Sequence, residues 1–335
     1  MPLLPQSPER YLRAPRLIAH DSGAGATLHV IAWEAGKPGA PETSQGERVL
    51  RFRLDSAGEV LGEDAGPLLP SVMALAAESP EPCEDSAALL TAVDPATSAR
   101  VTVEHAGGLS RVWLTLPNAE RVLVFEAACM VAGPAVLSGP EGHLVAFHHD
   151  LREDRLETDV AKWIALRLVR DSGEVLEPAA AMTDRDRDRA DVEQSFEFPA
   201  LAVGPRGAVA LFGRGSHNFW RQDLDATGFH ARVPLSDGEW GSRGRWVTVA
   251  AVQDQHGPRL LTAQRDRRGV LVQSLEAPLG AAPAWVHAEV RPHVTPVSLV
   301  THAEGADPAQ AHGLHTYFGD IQQHSAHSDG VGSAD

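Results

Sequence analysis

The run Tyr317-Phe-Gly-Asp-Ile-Gln-Gln-His-Ser-Ala-His-Ser-Asp-Gly-Val-Gly332 places imidazole, carboxylate and hydroxyl groups close together near the end of the chain. Alternate residues of a strand project to one face, so positions 322 and 324 would present their side chains together toward one metal ion. His324 offers an imidazole there. Gln322 offers only a neutral amide oxygen, a poor ligand for zinc, manganese or iron. A metal held by one histidine stays largely hydrated and weakly bound until further His, Asp or Glu ligands complete the set.

The run resembles the first motif of the polymerase-and-histidinol-phosphatase (PHP) superfamily, which reads roughly G-D-[LI]-H-x-H-[ST]-x-x-S-D-G. Phe318, Gly319, Asp320, His324, Ser325, Ser328, Asp329 and Gly330 fit that pattern, and Gln322 stands where its first histidine would be. The resemblance implies a divalent metal (zinc, manganese or iron) in the complete protein, with His324 as a ligand and Asp320 and Asp329 supporting it. It also implies a small-molecule or phosphoester substrate, and a hydrolase barrel of which residues 313–335 would be the start. It covers only these few positions of the 335-residue chain. By ligand count the chain alone is expected to be inactive, with its activity residing in a larger parent hydrolase.

Composition narrows the partners. A formal net charge of −16 argues against nucleic acid or an anionic membrane, both of which demand a basic face. Cys83 and Cys129 form neither a disulfide framework nor a C-x-x-C knuckle, and the start MPLLPQSPERYLR lacks the apolar core of a signal peptide. A reducing cytoplasm is the expected compartment. No apolar run approaches the roughly 18 residues of a membrane helix.

The elements that would position any site read as strands. Short apolar/polar alternations separated by Gly, Pro, Asp and Ser dominate from about residue 15 to 300. Five segment pairs recur about 55 to 65 residues apart, each first segment opening on a proline: 15–19 with 28–32, 70–74 with 88–92, 134–138 with 143–147, 199–203 with 208–212, and 258–262 with 269–273. The second segment of each pair has the composition of a strand buried on both faces. A second landmark of strand, tight turn and strand keeps the same period at 51–60, 113–122, 166–175 and 220–229. Two landmarks on one period of about 60 residues mark a repeat of propeller-blade size. The expected fold is all-β, a β-propeller of five or six blades, with a pair of β-sandwiches as the alternative. Trp113, Trp163 and Trp220 follow the blade period and are expected to pack between sheets. The domain reading is 1–303 for the propeller, 304–312 for a polar linker and 313–335 for the start of the hydrolase barrel.

Within the propeller, Gly213-Arg-Gly-Ser-His-Asn-Phe-Trp220 puts Arg214, His217 and Asn218 on a glycine-flanked turn after an apolar strand, a candidate surface for an anion or a sugar. Residues 184–191 have the alternating carboxylates of a calcium loop, but Arg189 and Ser195 occupy the positions that need glycine and glutamate, so a solvated mixed-charge loop is expected. The adjacent His148 and His149 cannot share a strand face, which favours a surface turn. Residues 236–240 resemble part of an Asp-box turn without its spacing. Three functions follow: the substrate-gating or substrate-binding propeller of a metal-dependent hydrolase; a non-enzymatic ligand- or protein-binding propeller; or a glycoside-active propeller, which would need paired acids at the central opening.

Overall fold

The computed structural model describes residues 4–5, 10–21, 26–36, 48–63, 90–94, 96–149, 163–180, 197–214, 219–235, 247–254, 257–266 and 269–292. These form five antiparallel sheets, each begun by the strand nearest a common axis. The first sheet is β1 (Arg10–Asp21), β2 (Ala26–Gly36), β3 (Arg48–Leu54) and β4 (Val60–Glu63). The second is β5 (Thr91–Val93), β6 (Arg100–Ala106), β7 (Leu109–Thr115) and β8 (Arg121–Ala127). The third comprises β9 (Val131–Gly139), β10 (Gly142–His149), β11 (Trp163–Val169) and β12 (Val175–Pro178). In the fourth, β13 (Glu197–Val203) and β14 (Val209–Arg214) lead to β15 (Phe219–Asp225), which pairs both β16 (Gly228–Phe229) and β17 (Val233–Pro234). The fifth is β18 (Val247–Asp254), β19 (Gly257–Asp266) and β20 (Gly269–Glu276), and β21 (Trp285–His287) returns to the outer edge of the third sheet beside β12.

The fold is a β-propeller. Consecutive strands pair because their connections are tight hairpins built on residues that tolerate a left-handed backbone. In the β3–β4 turn, Asp55 Oδ1 accepts the N–H groups of Ala57 and Glu59 at 2.9 and 2.8 Å, and Gly58 takes φ +86°. Asn118 serves the β7–β8 turn by accepting the Glu120 N–H at 3.0 Å. In the β15–β16 turn Asp225 Oδ1 accepts both the N–H and the hydroxyl of Thr227. Those two bonds, with His230 adding a smaller contribution, hold the Asp225 carboxyl down at about 2. The third and fourth strands expected at 51–60, 113–122, 166–175 and 220–229 are the β3–β4, β7–β8, β11–β12 and β15–β16 hairpins.

The second strands are buried on both faces, as their apolar runs require: Gly142–His148 of β10 and Val209–Gly213 of β14 are buried without interruption. Clusters of aliphatic and aromatic side chains then join sheet to sheet. Val145 and Phe147 pack with Val112, Leu114 and Phe125 between the second and third sheets. Leu144, Leu166 and Trp220 fill the space between third and fourth, and Phe212, Phe219 and Leu260 that between fourth and fifth. Leu12, Leu28 and Phe52 meet Leu261 and Val272 between first and fifth. The Leu4 N–H bonds the Val270 carbonyl at 3.0 Å, so the start of the chain is tied to the last sheet. Near the other end, Glu126 accepts from Arg111 and, at 2.6 Å, from Arg291, which together pull its carboxyl below the usual range.

Of the three tryptophans expected between sheets, Trp220 is there, 3% exposed. Trp163 is half-buried and met by the Arg232 guanidinium from the fourth sheet, 5.7 Å from its ring centroid. Trp113 lies on the half-buried face of β7 under Arg121 of its own sheet, because alternation along β7 gives the core face to Val112 and Leu114. The second and fifth pairs of landmark segments are out of phase with the others: 88–92 runs into β5, an innermost strand, and 70–74 lies outside the described residues. Residues 258–262 belong to β19, the second strand, and the innermost strand is β18.

Candidate functional site at the mouth of the central channel

The five innermost strands are the edge strands β1, β5, β9, β13 and β18, and they enclose a cavity of about 300 Å³. Edge strands leave backbone N–H and C=O groups without ladder partners, so a channel walled by five such edges presents main-chain donors and acceptors between its aliphatic side chains. Among its described lining residues, Asp94 is the one acid and Arg16 the one base.

Asp94 marks one end. Its carboxylate is 3% exposed and already engaged by the Ala96 N–H (2.9 Å), the Thr97 hydroxyl (3.2 Å) and the Ser138 N–H (2.8 Å). Ser138 Oγ continues the network to Thr97 Oγ at 2.7 Å and His143 Nδ1 at 2.8 Å. This network bolts the second sheet to the third. Five positions earlier on β9, about 17 Å away at ~3.3 Å per residue, Gly133 lines the opposite end together with Phe198 of β13.

The mouth at Gly133 and Phe198 is shaped by a recurring irregularity. In three innermost strands two residues oppose one: residues 14 and 15 face Ala32, Gly133 and Pro134 face Phe147, and Phe198 and Pro199 face Gly213. Each is a β-bulge, where proline's missing N–H costs the ladder nothing. The landmark prolines at 15, 134 and 199 are therefore bulge residues of the innermost strands. The residue before the proline takes a left-handed backbone in two of them, φ +58° at Gly133 and φ +51° at Phe198.

Around Phe198 the groups converge. Its N–H donates to His148 Nδ1 at 3.0 Å, and its ring stands edge-on to that imidazole with centroids 4.8 Å apart. Arg214, paired in register with Glu197, donates from Nη2 to Glu197 Oε1 at 3.1 Å and lays its guanidinium 5.2 Å from the Phe198 ring centroid. Glu197 is 5% exposed, and the Arg214 Nε–H is buried with no hydrogen-bond partner among the described residues. A cation, a carboxylate and an imidazole thus meet around Phe198, which of these four residues is the one that lines the channel.

Arg214, expected in a binding surface, pairs with Glu197 behind Phe198 and is not among the residues that line the cavity; His217 and Asn218 fall outside the described residues. His148 is not on a surface turn. It is 1% exposed inside β10, while His149 faces the other side and stacks on Phe125 at 5.9 Å. Two adjacent histidines read as polar in sequence, yet the buried position next to a bulge supplies a backbone donor that satisfies the ring. Glu197 and Phe198 carried no sequence signal beyond the proline that follows them. The stretches 184–191 and 236–240, and the run holding Asp320, Gln322, His324 and Asp329, lie outside the described residues. Among the described residues no group of three or more His, Cys, Asp or Glu could hold a metal, and no helix is long and apolar enough to cross a membrane.

No protein-family model matches the chain, and no curated protein matches it. Solved structures similar to it include a protein of unknown function from Dyadobacter fermentans (13% identity, 86% of this chain and 85% of that one, TM-score 0.40). Others are a GH43_1 enzyme from Xanthomonas citri (13%, 84% and 91%, 0.36) and an exo-1,5-alpha-L-arabinanase from a bovine ruminal metagenomic library (10%, 83% and 97%, 0.35). These similarities are too remote to say what the chain binds. The PHP resemblance is corrected by the same comparisons, since no family model and no curated sequence supports it. The physical reason is that a short run of Gly, Asp, Ser and His matches a degenerate pattern easily, and with Gln322 it lacks the paired imidazoles that give the motif its chemistry.

Proposed function

We propose that the chain is a ligand-binding propeller whose channel mouth, at Phe198, takes a small hydroxyl-rich molecule such as a sugar unit. The observation that supports it is the buried Arg214 Nε–H, left without a described partner beside the Glu197 carboxylate and the Phe198 ring. A buried orphan donor is costly unless something bonds it. A neutral polyol suits the corner because each hydroxyl both donates and accepts, answering a guanidinium and a carboxylate at once, while the C–H face of a ring rests on an aromatic side chain. The cavity of about 300 Å³ is at the lower end of ligand-pocket sizes.

Glycoside hydrolysis at this mouth would need a second carboxylate roughly 5 to 9.5 Å from the first. Asp94, the acid among the described lining residues, is at the far end of the channel and already engaged by three donors. The described residues thus favour binding over catalysis. In a larger hydrolase such a mouth would hold or deliver substrate. Calorimetric titration of neutral mono- and disaccharides tests the reading. Arg214→Ala and Glu197→Gln are expected to weaken binding about 10-fold to 100-fold, the range for a buried hydrogen bond to a charged group. Equal affinity in wild type and Arg214→Ala, or no sugar bound at millimolar concentration, would refute it.

A further inference from the structure

We infer that His148 is a pH-dependent latch that fixes Phe198 at the lining of the channel mouth, an inference that rests on the mouth being the binding site. The equivalent bulge position in the third sheet is Gly133, which adopts φ +58° freely. Phe198 adopts φ +51° with a bulky side chain, a conformation that persists only where the surroundings impose it. The two residues touch: a Cβ on Gly133 would lie 2.9 Å from His148 Nδ1 and 3.0 Å from Phe198 Cδ1. Glycine there is what lets imidazole and phenyl ring close together.

The restraint on Phe198 depends on a proton. Nδ1 can accept the Phe198 N–H only while it carries no hydrogen, so the latch requires a neutral His148 with its proton on Nε2. Protonation turns Nδ1 into a donor facing a donor. The bond is then lost, and the strained backbone at Phe198 is free to relax out of the left-handed region. The described charged groups next to the ring belong to one ion pair. From β13 and β14 come Glu197 and Arg214, already paired with each other at 3.1 Å. Along β10, His149 faces the opposite side and stacks on Phe125, and the residues paired with His148 on β9 and β11 are the uncharged Ala132 and Ile164. An imidazolium would therefore enter a corner whose described carboxylate is already engaged. At neutral pH Phe198 is held against His148 at the channel lining; at acid pH it is released.

Amide spectra of ligand-free protein labelled with [¹⁵N]phenylalanine, recorded from pH 8 to 4.5, test this without any sugar. In wild type the Phe198 signal is expected to move between two positions with a single-proton midpoint. His148→Asn keeps a neutral acceptor near the place of Nδ1 and is expected to hold the high-pH signal throughout. His148→Gln withdraws the acceptor and is expected to show the low-pH signal at every pH. A wild-type Phe198 signal that does not move, His148→Asn titrating like wild type, or His148→Gln keeping the high-pH signal would each overturn the latch. A Phe198 signal that titrates as expected in a protein that binds no sugar would refute the binding reading and leave the latch standing.

Discussion

Replacing Gly133 by alanine should unfasten the mouth without touching any charged group. Two costs follow from the structure. An L-residue at φ +58° costs about 1 to 2 kcal/mol relative to glycine. The new methyl would sit 2.9 Å from His148 Nδ1, 3.0 Å from its Cε1 and 3.0 Å from Phe198 Cδ1, closer than carbon contacts allow, so the imidazole must turn away. His148 is 1% exposed, so turning leaves the Phe198 N–H buried and unbonded, at about 1 to 3 kcal/mol. The sum is about 2 to 5 kcal/mol, equivalent to a fall in Tm of roughly 3 to 7 °C for a chain of this size. Thermal unfolding followed by circular dichroism measures it. The control is Gly139→Ala, on the same strand, where a Cβ meets nothing within 4 Å; its Tm should stay within about 1 °C, as expected of a surface change. If Gly133→Ala melts like the control, and the Phe198 amide is unmoved, the packing of Gly133, His148 and Phe198 does not hold the mouth together.

Three further outcomes are expected. Asp225 has a folded pKa of about 2 against an ordinary 3.8, so its contribution to stability is fully present above about pH 4 and is lost as pH falls through 2; urea unfolding between pH 2 and 5 should therefore steepen for wild type relative to Asp225→Asn, and parallel curves would contradict the Thr227 bonds. Leu211→Ala, at a fully buried position between the third and fourth sheets, should cost about 2 to 5 kcal/mol in the same denaturation assay. Leu279→Ala, at a position 67% exposed, should change stability by less than about 0.5 kcal/mol; similar losses at both positions would mean that the sheet-to-sheet clusters do not carry the stability assigned to them.

Strands and hairpins were legible in the sequence because they depend on near neighbours. Alternation of period two fixes which face of β7 or β15 is buried, and Asp55, Asn118, Gly173 and Asp225 fix their turns within four residues. The period of about 60 residues then required a ring of similar sheets, and the apolar second segments became the doubly buried strands β2, β10 and β14. The prolines at 15, 134 and 199 were visible as landmarks, but their meaning as bulges was not, since a bulge is defined by the partner strand it faces. The phase of the second and fifth sheets and the return of β21 to the third were equally hidden, because they are settled by ring closure between residues far apart in the chain. The candidate site was half legible: Arg214 stood out beside its glycines, whereas Glu197 and Phe198 are ordinary until β14 and β10 bring Arg214 and His148 against them. Sequence determines what each residue can offer as donor, acceptor or bulk. Only the tertiary structure decided which of those groups meet in the channel, because a hydrogen bond of 3 Å between positions 148 and 198 exists solely through the packing of two sheets.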